Sequence, residues 1–244
     1  YINKGQFMTI DTNYFAYYSF NDSVNFNPTN SRIELGIGDS LYLTVINNDV
    51  IAHGFNVTNT SGYNNTINSS DTVEIPMFFA DFGMHIMYDN LNYPNYRFMG
   101  LGAMIIVDDF AGSRFYWNVK EHQTGWNDSL DNGWSVDWND YYPDYFTING
   151  YSNPLINDDI FARVTGAVGD TIRIYISNTG QAIHSMHFHG YHLTIRHYSG
   201  NSQHIGRSKD TFPIKSMETL ILELIPDKPG EYPVHDHNLV AVTG

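Results

Sequence analysis

Short hydrophobic runs, rich in β-branched and aromatic side chains, recur along this chain and alternate with polar turns. Two of them, Ser40–Ile46 and Asp170–Ile176, follow a Gly-Asp turn and lead into turn residues that include asparagine, as strands commonly do. Gly102–Val107 and Thr219–Leu224 have the continuous hydrophobic pattern of buried strands. No long stretch keeps a 3.6-residue period between capping residues. The pattern therefore predicts an all-β protein.

The pattern occurs twice in the chain. Segment Gly38–His53 matches Gly169–His184 in length and landmarks, 131 positions later. Segment Thr72–Gly83 matches Thr219–Gly230 at an offset of 147, so the second copy holds 16 additional residues of loop. Agreement in order and spacing over several landmarks indicates duplication, and we predict two similar β-units of roughly 100 residues each.

The region between the two copies contains all four tryptophans and five aspartates. The spacing of these acids does not match an EF-hand calcium loop, which requires ligands at alternate positions and a closing glutamate. A sugar-stacking loop is an alternative. We expect an aromatic connector at residues 113–144, packed between domains at residues 1–112 and 145–244. The tryptophans are Trp117, Trp126, Trp134 and Trp138.

The charge balance argues against several partners. Twelve basic residues against 26 acidic ones give a net charge of -14, which disfavours nucleic acid, because binding to phosphates needs a Lys/Arg surface. No apolar run approaches the ~20 residues of a membrane span. The chain opens at Tyr1 rather than Met, which favours a secreted, extracellular protein whose signal segment has been removed. Six N-glycosylation sequons agree with this. They lie at Asn21, Asn56, Asn59, Asn64, Asn68 and Asn127.

Histidine is concentrated near the end of the chain, where eight of the eleven fall in the last 61 residues. Because side chains alternate across a strand, His187 and His189 share one face, and so do His235 and His237. Two such pairs on neighbouring strands place four imidazoles around one point. Neutral imidazole suits copper, zinc, iron or nickel. The spacing predicts a metal site, with copper as the first choice and zinc as the second.

These motifs resemble a known family. The segments His184–Gly190 and Gly230–His237 are similar to the last-domain copper motifs of multicopper oxidases, a group that includes laccases and has copper nitrite reductases as relatives. The resemblance covers both copies, and it implies two cupredoxin-like domains, each a Greek-key β-sandwich. It also implies ligand roles. Those residues are His187, His189, His235 and His237 for the copper cluster and His184 for the blue copper.

The chain departs from the family pattern at the blue copper. It has no cysteine, and Asp236 stands where the resemblance places the copper thiolate. Ala241 stands in place of the expected second histidine, and Asp89 holds the corresponding position in the first copy. A carboxylate cannot supply the copper–thiolate electronics of a blue site. The usual entry point for electrons is therefore predicted to be absent from both domains.

The first copy lacks the other metal motifs as well. Aligned by the repeat, four polar residues occupy the positions of the four clustered histidines. The chain therefore offers four histidines where a complete trinuclear cluster needs eight. We expect His53 to be buried and bonded to backbone and Met99 to lie in the core, with relics of a copper site as the alternative. The four replacements are Asn56, Thr58, Tyr88 and Asn90.

Three functions are compatible with these residues. The first is a copper-binding, multicopper-oxidase-like protein with a reduced, histidine-only site in the second domain and no type 1 copper relay. Whether it is an enzyme stays open; an active form would be an oxidoreductase of unknown substrate. The second is a non-catalytic extracellular structural or filament-forming protein on the same fold. The third, a zinc hydrolase, is disfavoured because alternation turns Asp236 away from His235 and His237.

The resemblance also concerns assembly. Two-domain relatives form head-to-tail trimers in which the first domain of one subunit meets the second domain of the next. It implies a homo-oligomer, a trimer first and a filament second. The second copy ends at Gly244 and lacks the equivalent of the strand ending at Val107. Either the natural chain continues further, or a neighbouring chain supplies that strand.

Overall fold

A computed structural model of the chain describes residues 2–8, 13–19, 32–238 and 241, and strands are their main regular element. In the first half the strands are β1 (Ile2–Met8), β2 (Asn13–Ser19), β3 (Arg32–Leu35), β4 (Ser40–Ile46), β5 (His53–Val57), β6 (Asn64–Ile67), β7 (Thr72–Phe78), β8 (Gly83–Tyr88) and β9 (Gly102–Val107). One short helix, α1 (Asn95–Phe98), precedes β9.

The second half has the same character. Its strands are β10 (Ser113–His122), β11 (Tyr145–Ile148), β12 (Ile172–Asn178), β13 (His184–Phe188), β14 (Leu193–Tyr198), β15 (Ser208–Lys209), β16 (Thr211–Ile214), β17 (Thr219–Leu224) and β18 (Val234–Asp236). Helix α2 spans Thr124–Asp131, and single 3₁₀ turns lie at Trp138–Asp140, Leu155–Asp158 and Ser202–His204. Across the described residues, no helix is both long enough and apolar enough to span a bilayer.

The first domain is a β-sandwich. A five-stranded sheet in the order β3-β9-β8-β5-β6 packs against the antiparallel pair β4–β7. Strand β7 alternates between faces, so Ile75 and Met77 are buried while Glu74 is exposed. Strands β1 and β2 form a separate antiparallel pair. The buried core consists of Phe55, Val57, Ile67, Ile75, Met77, Phe79, Ile105 and Val107.

The second domain is a larger sandwich. Its sheets have the orders β11-β10-β12-β17-β14-β15 and β16-β13-β18. Strand β13 turns Met186 and Phe188 into the core, where Trp117 stacks on Phe188 with ring centroids 5.5 Å apart. The intervening His187 is only half-buried and faces outward. Core packing of the even-numbered side chains thus directs the odd-numbered histidines away from the core.

The sequence repeat corresponds to a repeat of structure. Strands β4 and β12 follow glycines with positive φ, +85° at Gly38 and +89° at Gly169, a conformation that glycine adopts without strain. Strands β5 and β13 begin at His53 and His184. The two predicted β-units are therefore both present, and the all-β prediction is confirmed.

The predicted connector is partly strand. Residues 113–122 form β10, which runs parallel to β12 inside the second sheet. This places Trp117 in the second-domain core. The rest of the region forms contacts between aromatic rings. The ring centroid of Trp138 lies 5.2 Å from that of Phe98 in α1 and 5.3 Å from that of Trp126, whereas Trp134 is exposed. The division of the chain into domains at residues 112 and 144 stays a prediction. Strand β10, which lies inside the predicted connector, belongs to the six-stranded sheet of the second domain.

Buried contacts join the two domains. Arg173 Nη1 donates to both carboxylate oxygens of Asp108, at 2.8 and 2.7 Å, and the Tyr175 hydroxyl donates to the same carboxylate at 2.7 Å. Thr219 Oγ1 donates to the Met84 carbonyl at 3.0 Å. An apolar cluster fills the boundary between the sheets. It consists of Met84, Met104, Ile106, Tyr116, Tyr175 and Ile221.

Two sequence-based expectations concern residues outside the ranges that the structure describes. The predicted lack of a last strand in the second copy concerns the residues after 238, of which only residue 241 is described. The sequon at Asn21 also lies outside the described residues. Among the remaining sequons, Asn127 is fully buried, so the fold blocks glycan attachment there, whereas Asn59, Asn64 and Asn68 are exposed.

Candidate metal centre

Four histidine rings cluster on the outer face of the second domain. Strand β18 pairs antiparallel with β13 and brings His235 directly opposite His187. The ring centroid of His187 lies 4.7 Å from that of His189, 5.4 Å from that of His235 and 5.4 Å from that of His237. The four rings that were predicted to converge therefore lie close together, and their role as metal ligands stays a prediction.

Three of the four rings come together through their nitrogen atoms. His187, His189 and His235 each offer one ring nitrogen within 4.8 Å of the others. The Nε2 atoms of His189 and His235 are 3.0 Å apart. His237 lies beside this group, with its ring stacked against His235 at 5.9 Å and its main-chain N–H donating to Ser185 O at 2.7 Å. The geometry is thus three converging nitrogens with a fourth ring adjacent.

The other ring nitrogens of two histidines are already engaged. His187 Nδ1 lies 2.8 Å from Thr211 Oγ1, and His235 Nδ1 lies 2.9 Å from the Asp236 carbonyl oxygen. The Nε2 atom is then the ring nitrogen that each of these histidines can offer to a metal, and that of His235 lies next to His189 Nε2. His189 is exposed and the other two rings are half-buried, so solvent reaches the group. Imidazole nitrogens in this arrangement are a donor set that copper accepts, and the residues therefore fit a copper ion.

His184 is located elsewhere, on the core side of β13. It is 3% exposed, and its Nδ1 lies 2.5 Å from Asp236 Oδ2 while its Nε2 lies 2.8 Å from Glu121 Oε2. Burial on its own would lower the pKa of His184. Hydrogen bonds to Asp236 and Glu121 and the charges of both carboxylates outweigh this and raise the pKa to about 9. His184 is therefore an imidazolium held between two carboxylates.

These residues do not fit a blue copper. Both nitrogens of His184 bond to carboxylates, and Asp236 uses its Oδ1 to accept from the main-chain N–H groups of Ser185 and Asn238, at 2.8 and 3.0 Å. The chain has no cysteine to supply a thiolate. The metal role predicted for His184 stays a prediction without support from this geometry. The lack of cysteine, in contrast, agrees with the prediction that the chain has no type 1 copper relay.

No sequence motif points to Glu121, which also contacts His184. This residue is fully buried in β10 and accepts from the main-chain N–H groups of Gln181 and Ala182 and from the Tyr141 hydroxyl. A Cβ atom at Gly180 would overlap its Oε2, so glycine is required there. The run Lys120-Glu121-His122 next to a hydrophobic stretch is the feature of the sequence that could have indicated this residue. It lies in the predicted connector, where burial of a charged side chain is not expected.

The first domain has the same arrangement around His53. Its Nδ1 lies 2.6 Å from Asp89 Oδ2, and the Gly54 N–H donates to Asp89 Oδ1 at 2.7 Å. Asp49 Oδ2 lies 3.2 Å from Nε2. Burial opposes but does not cancel the hydrogen bonds to both aspartates, so the pKa of His53 is raised. The ring of His53 thus bonds to two carboxylates, and Met99 is buried as expected.

The repeat alignment is visible in strand register. Asn56 is the Cα partner of Tyr88 between β5 and β8, just as His187 is that of His235 between β13 and β18. The first domain thus presents an amide and a phenol where the second presents two imidazoles. Throughout the described part of the chain, the triplet His187, His189 and His235 is the one group of three or more histidine, cysteine or acidic side chains close enough to share an ion.

Comparison with known proteins supports this assignment of the fold. Residues 137–243 match the family model described as multicopper oxidase. No curated protein matches the sequence. The crystal structure of the blue copper oxidase from Nitrosomonas europaea superposes with a TM-score of 0.80 at 18% identity, over 98% of this chain and 78% of that one.

Two further solved structures are similar. The multicopper oxidase mgLAC has a TM-score of 0.79 at 18% identity and covers 98% of this chain and 78% of its own. The Cu-containing nitrite reductase NirK from Thermus scotoductus SA-01 has a TM-score of 0.75 at 18% identity, over 100% of this chain and 58% of that one. The chain thus consists of two cupredoxin-like β-sandwiches, and its resemblance to multicopper oxidases is confirmed.

Proposed function

We propose that this multicopper-oxidase-like protein binds copper at the histidine group on the outer face of its second domain and has no type 1 copper relay. The observation that carries the proposal is the set of three imidazole nitrogens, from His187, His189 and His235, within 4.8 Å of one another. Copper is the metal that the family resemblance implies. Neither the family model nor the similar structures support zinc, the second choice.

The side chains have distinct tasks in this site. His187, His189 and His235 bind the ion, and His237 is placed to complete or shield its coordination. Copper held there would supply one-electron redox chemistry. Because His189 is exposed, a small molecule can approach the ion from solvent. Without a thiolate, however, electrons have to arrive directly at the site, so turnover as an oxidoreductase is expected to be slow.

The decisive experiment is metal analysis of protein purified from its source, combined with an oxidase assay on a phenol and on a cuprous donor. We expect about one copper per chain, as a single cluster of ligands holds it. Copper with measurable oxygen consumption supports a slow oxidoreductase. Copper without turnover favours a non-catalytic, extracellular structural protein. Protein isolated without copper, and unable to take it up, contradicts the proposal.

The colour of the copper-loaded protein is a separate prediction. Blue copper sites owe their intense absorption to a copper–thiolate bond, and this chain has no cysteine. We expect only weak visible absorption after copper loading, measured by visible spectroscopy and electron paramagnetic resonance. The His187→Ala variant serves as the control for unspecific copper. An intense thiolate-type band would contradict a histidine-only site.

The proposal includes an extracellular location and an oligomer. Proteins of the family are often secreted or periplasmic. The histidine group lies on an outer face, where the first domain of a neighbouring subunit, with Asn56 and Tyr88 at the equivalent positions, is able to cover it. We expect a trimer, or failing that a filament, in light scattering at micromolar concentration. A monomer at that concentration would exclude this arrangement.

A further inference from the structure

We infer that Thr211, held by Asp210, is a positioning residue that fixes the tautomer of His187 and so presents its Nε2 lone pair to the metal. The inference rests on the proposed copper site and assigns a task to two residues that no sequence motif points to. Thr211 Oγ1 lies 2.8 Å from His187 Nδ1 and donates to Asp210 Oδ1 at 3.1 Å.

The direction of these hydrogen bonds follows from counting protons. A threonine hydroxyl has one hydrogen, and a carboxylate only accepts. Because the hydroxyl of Thr211 donates to Asp210, its oxygen is left as an acceptor for His187. Nδ1 of His187 must therefore carry the ring proton, and Nε2 must carry the lone pair. An isolated imidazole has no such constraint, since either nitrogen can be the donor.

A second ring in the group obeys the same rule through the main chain. His235 Nδ1 lies 2.9 Å from the Asp236 carbonyl oxygen, and a carbonyl oxygen has no hydrogen to donate. Its Nδ1 is consequently protonated and its Nε2 carries the lone pair. The two rings on adjacent strands thus both carry their lone pair on Nε2. His235 Nε2 lies 3.0 Å from His189 Nε2, and one ring nitrogen of His187 lies within 4.8 Å of the ligand atoms of both.

The sheet explains why Thr211 can play this part. Strand β13 is the central strand of its sheet, with β16 on one side and β18 on the other. His187 is the Cα partner of Thr211 across one boundary and of His235 across the other. Cross-strand partners on one face are close enough for their side chains to interact. Thr211 on one side of His187 therefore fixes the tautomer of the His187 ring, and His235 on the other side supplies the neighbouring metal ligand.

The first test is the tautomer of His187 in metal-free protein, read from nitrogen-15 chemical shifts. We expect a protonated Nδ1 and an unprotonated Nε2 in the wild type and in Thr211→Ser, which keeps the hydroxyl. In Thr211→Val the acceptor is gone, and we expect the Nε2–H form to become populated. An Nε2–H form in the wild type, or an unchanged tautomer in Thr211→Val, would overturn the inference.

The second test is copper affinity. Removing a partner that orients a histidine ligand costs about 10- to 100-fold in metal affinity. We expect a loss of that size in Thr211→Val and a change of less than about threefold in Thr211→Ser, measured by competition with a chelator. Equal affinities of Thr211→Val and the wild type would contradict the inference.

Asp210 gives an independent arm, since it is partly exposed and its replacement leaves the core intact. In Asp210→Ala the threonine hydroxyl is free to donate to Nδ1, so we expect a shift toward the Nε2–H form; Asp210→Asn keeps a carbonyl acceptor and should restore the wild-type tautomer. If Asp210→Ala leaves the tautomer unchanged, the role of Asp210 is wrong. If the wild type binds no copper, the proposed function fails, and the tautomer measurement still decides this inference.

Discussion

Replacing His187 by alanine is expected to abolish stoichiometric copper binding. His187 supplies one of three converging nitrogens and contacts every other ring of the group. Loss of a direct ligand should exceed the ~100-fold affinity loss that follows removal of an orienting partner. The side chain is half-buried on the outer face, so the fold should tolerate the change. Copper per chain, measured by mass spectrometry after dialysis, checks the result.

His192→Ala is the matched control, because His192 is exposed and lies outside the three-nitrogen group. It should retain the wild-type copper content. His237→Ala tests the adjacent fourth ring, and we expect a smaller loss of affinity there than in His187→Ala. Full copper content in His187→Ala would show that the metal lies elsewhere or is absent from the native protein.

Glu121→Gln is expected to destabilise the fold by about 3–5 kcal/mol, the usual cost of breaking a buried ion pair from one side. Glu121 is fully buried and accepts from His184 Nε2 at 2.8 Å. The variant keeps the side-chain shape but leaves a buried imidazolium with one carboxylate instead of two. Urea unfolding at pH 6 measures the difference.

The loss should depend on pH. Burial would raise the pKa of Glu121, but hydrogen bonds to His184 and to main-chain N–H groups lower it to about 2, from an ordinary value of 4.5. A lowered pKa means that the carboxylate stabilises the native state fully above the unfolded-state pKa and loses this effect as the pH falls through about 2. The difference between wild type and Glu121→Gln should therefore be largest near pH 5 to 6.5. It should shrink toward pH 2, and shrink again as the pH rises through about 9, where His184 loses its proton.

A surface substitution calibrates this experiment. Glu231 is 96% exposed and reaches Arg163 at 3.8 Å, so Glu231→Gln should change stability by no more than about 1 kcal/mol. A Glu121→Gln effect that equals this control, or that is the same at pH 3 and pH 6, would mean that the carboxylate does not stabilise the His184 imidazolium.

The sequence was sufficient where function depends on local spacing. Alternation along a strand places His187 and His189 on one face, and the repeat aligns Asn56 with His187, as the strand registers confirm. It was insufficient where partners are distant in sequence. Glu121 lies 63 positions from His184, and the contact depends on the placement of β10 beside β12, which no local pattern specifies.

Two other differences have the same origin. Thr211 is 24 positions from His187 and meets it only because β16 and β13 pair in one particular register. Composition groups Trp117 with the other tryptophans of the predicted connector, whereas in the structure its strand pairs with β12 in the six-stranded sheet of the second domain. The predicted metal role of His184 rests on its position in a motif that resembles a copper site. Such a match in sequence does not show that Asp236 and Glu121 bond to both ring nitrogens of His184.

The contacts between the two domains determine whether a bound ion stabilises only the domain that holds it or both domains. Asp108, Arg173 and Tyr175 join the sandwiches through buried charge and hydrogen bonds, so neither half can open without exposing unpaired groups of the other. We therefore expect the two sandwiches to unfold together as one cooperative unit. Copper bound only to the folded state, at a free concentration 100 times its dissociation constant, contributes about 2.7 kcal/mol. If copper binds at the proposed site, we expect this contribution to raise the melting temperature of both halves, including the half without a proposed copper ligand.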